Sequence, residues 1–182
     1  MTKKCCNNGL WYKQLDEVKL CGFTDADWAA SPMDRKSTSG GIFSIGSIAV
    51  SWYNRKQRSI ALSSAEAEYM AASLAACEAI WMRKILVGLF GSHLEPTVIY
   101  CDNQSPIKLS VNLVFHDRSK HIDIRYHHIR DCVQRKIMLL SYIPTEDQDA
   151  DILTKVLTRS KFEYHRGRIG VADNPYLVER EC

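Results

Sequence analysis

The sequence contains no apolar run approaching the roughly 18 residues that a membrane-spanning helix requires, so no helical span and no membrane partner are expected. It contains no C-x-x-C pair. Its seven cysteines are odd in number and irregularly spaced, which argues against both a structural zinc site and a disulfide framework. The thiols are expected to act mostly as small buried hydrophobes. Behind Lys3 and Lys4 there is no apolar core of a secretory signal, which places the chain in the cytoplasm or nucleus. No internal repeat or low-complexity tract is visible. The excess of one charge sign is small, a net +3, and does not by itself dictate a nucleic-acid partner.

What is present suits one globular domain with a short extension. The chain has 182 residues, 46% hydrophobic and 25% charged, enough to bury a sizeable core. Residues 18–28 read as a strand ending in polar residues, and Ser31 to Gly41 as a loop rich in Ser, Gly and charge. Ile42–Ile45 and Ile48–Tyr53 read as two strands around a Gly46-Ser47 turn, followed by a basic connection from Arg55 to Arg58. From about Ser64 to Leu89 the residues are Ala, Glu, Leu, Met and Lys, without proline and without glycine until Gly88. This predicts a long helix, opened by a Ser63-x-x-Glu66 capping box and ended by Gly91. Thr97–Asp102 predicts a further strand, a short helix starts near Asn103–Pro106, residues 119–136 read as a basic helix, Met138–Ile143 as a strand, and Gln148–Val156 as the start of another helix. This order predicts an α/β domain with a mixed central sheet of about five strands flanked by helices.

Charge is unevenly spread. Lys108, Arg118, Lys120, Arg125, Arg130, Arg135 and Lys136 crowd into one segment with His116, His121, His127 and His128, a candidate phosphate-binding face that reads equally well as a solvated helix surface. In that segment Ile122, Tyr126 and Ile129 fall on one apolar helical face, and a hydrogen-bonded structural role is preferred over metal binding for His121 and His128.

The acidic residues stand at strand ends and helix starts, where α/β sheets build their sites. Asp25 closes the first long strand, Glu68 lies early in the long helix, Asp102 ends a later strand, and Asp151 lies near the start of a late helix. If they converge they need cations to offset their mutual repulsion, and an all-oxygen donor set suits Mg2+ or Mn2+. Two such ions about 3.5–4 Å apart would serve a phosphodiester displacement. Spacing alone leaves convergence open.

Several ordered motifs carry a resemblance. Gly22-Phe-Thr-Asp-Ala-Asp-Trp-Ala, Asp34-Arg-Lys-Ser-Thr-Ser-Gly, Ser51-Trp, Lys56-Gln, Ala61-Leu-Ser-Ser-Ala-Glu-Ala-Glu-Tyr-Met-Ala, Tyr100-Cys-Asp-Asn-Gln, Lys120-His-Ile-Asp-Ile-Arg-Tyr-His-His-Ile-Arg and Ala150-Asp-Ile-Leu-Thr-Lys are similar to the ribonuclease H region of copia-type retrotransposon Pol polyproteins. Gly9-Leu-Trp-Tyr resembles the segment joining that region to the reverse transcriptase, and the match spans about residues 9 to 160. It implies a ribonuclease H-like fold, with a tether over residues 1–17, the domain over 18–158 and a helix with a tail over 159–182. A virus-like particle joins the candidate locations.

The resemblance implies an endonuclease cutting the RNA strand of RNA–DNA hybrids to leave 5′-phosphates, with Asp25, Glu68, Asp102 and Asp151 as catalytic residues holding two Mg2+ or Mn2+ ions. Their neighbours are set aside: Asp27 as structural, Glu66 as the capping glutamate, Asp149 as an acid favouring a helix dipole. Cellular relatives carry a histidine just before the last Asp. Here that loop is Pro144-Thr-Glu-Asp-Gln-Asp-Ala-Asp, in which Glu146 or Asp147 is the substitute and weaker turnover is expected. His128 and His165 are left unassigned. For the hybrid, Asn103 and Gln104 are candidates for sugar or base edges, Ser63 and Ser64 for a phosphate at the helix start, and Arg55, Lys56 and Arg58 for the DNA backbone. Trp52 or Tyr53 is a candidate to stack on a sugar, with core packing expected of at least one of them. The alternatives are a hybrid-binding module that is weak or silent in catalysis, and a fragment that acts only with its reverse transcriptase.

Overall fold

A computed structural model describes residues 8–10, 19–46, 48–91, 94–111 and 128–173. Its strands are β1 (Asn8–Leu10), β2 (Leu20–Asp27), β3 (Thr38–Ile45), β4 (Ile48–Lys56), β5 (Thr97–Cys101), β6 (Met138–Tyr142) and β7 (Val171–Asp173). The helices are α1 (Ser64–Phe90), α2 (Gln104–Val111), α3 over residues 128–134, α4 (Asp151–Thr154) and α5 (Arg159–Arg168). Five strands form one sheet in the order β4-β3-β2-β5-β6. The β4-β3-β2 pairings are antiparallel and the β2-β5-β6 pairings parallel, so the sheet is mixed, as expected. β1 and β7 pair antiparallel in a separate ribbon, Leu10 opposite Val171.

The long helix forms where its start signal places it. Ser63 accepts the Glu66 N–H at 3.2 Å, and Glu66 reaches back to the Leu62 N–H at 2.8 Å, one residue earlier than a reciprocal capping box. Gly91 ends the helix with φ 63° and donates to the Val87 carbonyl at 2.8 Å, a conformation that glycine adopts without Cβ strain. The sheet-facing side of α1 is small: Ala67, Ala71, Ala72, Ala75, Ala76 and Ala79 are fully buried. Helix and sheet therefore approach closely, with Phe43, Ile99, Tyr69 and Met138 filling the core.

Three local expectations change. The Ser31–Gly41 loop is shorter than read, because β3 already starts at Thr38. Ser39, Gly40 and Gly41 carry turn composition, yet they serve packing. A Cβ on Gly40 would lie 2.6 Å from Thr154 Cγ2, and one on Gly41 would strike the Tyr53 ring. The basic connection from Arg55 belongs to β4 as far as Lys56. The helix expected over Gln148–Val156 is one turn, Asp151–Thr154, and a separate helix follows at Arg159. Tyr53 is core while Trp52 is 57% exposed, so only Trp52 is open to a ligand.

Of the expected 119–136 helix, residues 128–134 are helical. Its earlier part, with Ile122, Tyr126, His121 and most of the basic cluster, lies outside the described residues. Ile129 is buried in the core. Cys21, Cys77, Cys101 and Cys132 are free thiols, with Cys101 and Cys132 buried and Cys77 exposed. Among the described residues no helix is long and apolar enough to cross a membrane.

Candidate active site

β2 and β5 are adjacent and parallel, with Phe23 opposite Tyr100. Two residues further along stand Asp25, on β2, and Asp102, just past the end of β5, carried side by side at one end of the sheet. Glu68 enters from the second turn of α1 and accepts the Ala26 N–H through Oε1 at 3.4 Å. One ligand oxygen from each of Asp25, Glu68 and Asp102 lies within 4.8 Å of the others. Asp25 is fully buried, Glu68 is buried, and Asp102 is partly exposed with Oδ2 accepting the Thr145 hydroxyl at 2.9 Å.

Asp151, the first residue of α4, faces Asp25 from the other side. Lys155 lies between them, its Nζ 3.0 Å from Asp25 Oδ1 and 2.9 Å from Asp151 Oδ1. Thr154 donates its hydroxyl to Asp25 Oδ2. The loop before α4 is pinned to β2 by Gln148, which is fully buried and donates to the Thr24 carbonyl at 3.1 Å. The four carboxylates predicted from sequence therefore stand together, three in one cluster and the fourth bridged to it through Lys155.

Crowded buried carboxylates resist ionisation. The Glu68 carboxyl is pushed up to about 9, first by burial and then by the charges of Asp25 and Asp102. Burial also raises Asp151, against the opposing bond from Lys155, and raises Asp27, with the Asp25 charge adding. Burial works against the charge of Lys155, but its bonds to Asp151 and Asp25 outweigh that and hold the ammonium protonated. Because Glu68 keeps its proton in the folded state up to about 9 and releases it near 4.5 when unfolded, its stabilising contribution is full below 4.5 and is lost as pH rises through 9. Urea unfolding in a chelator should therefore show stability falling between pH 5 and pH 9, and millimolar Mg2+ should recover the loss at the alkaline end. A flat profile with chelator would refute the crowded-carboxylate description.

The rejected neighbours are elsewhere engaged. Glu66 caps α1. Asp149, just before the start of α4, is a buried hub: it meets His165 Nδ1 at 2.9 Å and Arg168 Nε at 2.9 Å. Asp147 is taken by Arg168 Nη1 at 2.7 Å and the Tyr164 hydroxyl at 3.0 Å, which leaves Glu146 as the exposed acid of that loop. Sequence reading missed Lys155, although its i,i+4 spacing from Asp151 was a usable signal. It also missed Thr154, Gln148 and the Asp149–His165–Arg168 network, for which no local signal exists.

The nucleic-acid candidates differ in what already engages them. Ser63 and Ser64 are exposed at the start of α1, with the Ser63 hydroxyl committed to its cap. Asn103 spends its carbonyl on the Ser105 N–H at 2.8 Å and keeps its amide donors, and Gln104 is exposed. Lys56 is bound to Asp34 at 2.8 Å and to Ser31, and that bond holds the Asp34 carboxyl down near 2. Arg55 lies over the Tyr53 ring at 5.5 Å. Arg55, Lys56 and Arg58 line a cleft of about 500 Å³ with Ser73, Cys77 and His128, and none of the four carboxylates lines it.

No family model matches the chain. It is 44% identical over 155 residues, 85% of its length, to the retrovirus-related Pol polyprotein from transposon TNT 1-94 of Nicotiana tabacum. It is 40% identical over 169 residues, 93% of its length, to that from transposon RE1 of Arabidopsis thaliana. In each case it spans 12% of the relative's length. Among solved structures it superposes on the N-terminal RNase H domain of rv2228c from Mycobacterium tuberculosis (TM-score 0.55, 12% identity, 83% of this chain and 98% of that one). It also superposes on LC11-RNase H1 in complex with an RNA/DNA hybrid (TM-score 0.53, 13% identity, 75% and 94%). The fold is thus that of RNase H domains, and the sequence identity over most of its length shows that the chain belongs to the family of retrovirus-related Pol polyproteins from transposons.

Proposed function

We propose that the chain is a metal-dependent endonuclease that hydrolyses the RNA strand of RNA–DNA hybrids, leaving 5′-phosphate ends. The observation that carries this reading is the meeting of Asp25, Glu68 and Asp102 within 4.8 Å, with Asp151 facing Asp25 at the same end of the sheet. The donors fit Mg2+ or Mn2+, because the cluster offers hard carboxylate oxygens and no sulfur or imidazole. Glu68 Oε2, buried and without a hydrogen-bond partner, is a carboxyl oxygen that a cation would satisfy, displacing the proton that burial otherwise holds there. Asp25, Glu68 and Asp102 would hold one ion, and Asp25 with Asp151 a second; bound there, the ions supply an activated water and neutralise charge on the leaving oxygen.

The protein's own residues position the reactants. Thr154 and Thr145 orient Asp25 and Asp102 through one oxygen each. Asn103 and Gln104, directly after Asp102, donate to the hybrid's sugar and base edges in its wide minor groove. Ser64 at the start of α1, with Arg55 and Arg58 along the cleft, takes backbone phosphates, while Lys56 contributes less because Asp34 already holds it. Glu146 takes the proton-handling place that cellular relatives give to a histidine. The structural relative LC11-RNase H1 was solved with such a hybrid, which favours this substrate over duplex DNA. A reverse transcriptase domain from the rest of such a polyprotein is the proposed protein partner.

The test is cleavage of a hybrid carrying separately labelled strands, in Mg2+ and in Mn2+, beside the Asp102→Asn variant. Cutting of the RNA strand only, abolished by the substitution, is expected. Hybrid bound but uncut by the unaltered chain would replace this reading with that of a binding module.

A further inference from the structure

Lys155 stands out as a cation inside a site that the reading above gives to divalent ions. It ends α4, where its backbone N–H bonds to the Asp151 carbonyl at 3.0 Å, and its side chain folds back over that helix. Its Nζ reaches Oδ1 of Asp25 at 3.0 Å and Oδ1 of Asp151 at 2.9 Å. Those carboxylates are 0% and 7% exposed, while the Lys155 side chain is 34% exposed. The other Asp25 oxygen takes the Thr154 hydroxyl, so α4 engages both oxygens of Asp25. The opposite side of the cluster has no such provision. Among the described residues no ammonium or guanidinium forms an ion pair with Glu68 or Asp102, and Glu68 Oε2 has no hydrogen-bond partner. One half of the site thus carries its own counter-cation and the other half does not.

We propose that Lys155 is a tethered cation that occupies the Asp25–Asp151 half of the site and competes with the second divalent ion for the same two Oδ1 atoms. The inference rests on the metal-dependent reading given above. A divalent ion held by those same two carboxylates would lie against the ammonium that stands 2.9–3.0 Å from each of them. Like charges at that distance repel strongly where water is scarce, so the two cannot share the place. Lys155 must swing outward for the ion to enter, and its flexible four-carbon stem and partial exposure allow this. The site then fills in two unequal steps: first among Asp25, Glu68 and Asp102, where Lys155 pairs with Asp25 alone, and later between Asp25 and Asp151, where it pairs with both. Lys155 is a positioning residue: it sets the Mg2+ concentration at which the second step occurs, and before that it keeps two buried carboxylates from repelling one another.

Calorimetric titration of the full chain with MgCl2 tests this, beside Lys155→Met and Lys155→Arg. The unaltered chain should show a tighter and a weaker step. Lys155→Met, similar in length and uncharged, should tighten the weaker step about tenfold while leaving the tighter one unchanged. The same variant should melt earlier than the unaltered chain in chelator and regain that loss in Mg2+. Lys155→Arg keeps the cation and should leave the weaker step weak. A residue with a merely structural role would lower the melting temperature without tightening any metal step, and that result overturns the proposal. So does tightening by Lys155→Arg, which keeps the inference testable if Lys155→Met fails to fold. Equal affinities in all three proteins, alongside RNA cleavage that Asp102→Asn abolishes, would remove the role of Lys155 and leave the nuclease reading standing. Absence of Mg2+ binding in every protein would overturn both.

Discussion

Asp25→Asn is expected to reduce cleavage of the RNA strand by at least about 10³-fold in single-turnover assays, a loss on the scale of that expected for Asp102→Asn. Asp25 is the group that all the others meet. It shares the three-carboxylate cluster with Glu68 and Asp102, receives Lys155 and Thr154 from α4, and is itself fully buried on the central strand. The amide is nearly the same size, so the sheet should tolerate it, while the negative charge that both proposed ions would share is gone. Mg2+-dependent thermal stabilisation should vanish with the activity, because ligands that bind only the folded state stabilise it by mass action. Asp27→Asn, two residues along the same strand, is the matched control and should keep activity close to that of the unaltered chain. Retention of a tenth or more of the activity by Asp25→Asn, or equal losses from the two variants, would show that the wrong acid had been chosen.

Asp149→Ala should lose about 3 kcal/mol of folding stability in urea, the second large effect. Asp149 is 3% exposed and is the common acceptor for a buried imidazole and a partly buried guanidinium. Truncating it leaves Arg168 with Asp147 as its one carboxylate and leaves His165, 2% exposed, without its carboxylate partner. Removing one member of a buried charged network costs more than the network contributes as a whole, because the remaining groups stay desolvated. The damage should also reach the site. Asp149 lies two residues before Asp151 and ties that loop to α5, so Mg2+ should stabilise this variant less than the unaltered chain. Hydrogen exchange should accelerate first in α5. A loss below about 1 kcal/mol, the range of exposed ion pairs, would mean that water already reaches the network.

Local physics made most of the elements legible in the sequence. The α1 start at Ser63, its stop at Gly91, the hairpin of β3 and β4, and the placement of Asp25, Glu68, Asp102 and Asp151 at element ends follow from capping, turn chemistry and composition, each acting over a few residues. The same local rules misread Ser39-Gly40-Gly41 as loop, since a glycine kept for close packing looks identical to one kept for a turn. Convergence was a different matter. Asp25 and Asp102 become neighbours through the parallel register of β2 with β5. Lys155 reaches Asp25 across 130 residues of chain, and His165 and Arg168 reach Asp149 only once α5 folds back over the loop. The sequence by itself determined which groups were available and which short elements carried them. Only the tertiary structure decided which of those charges share one space, because Coulomb forces and desolvation depend on distance and burial, and long-range packing alone sets both.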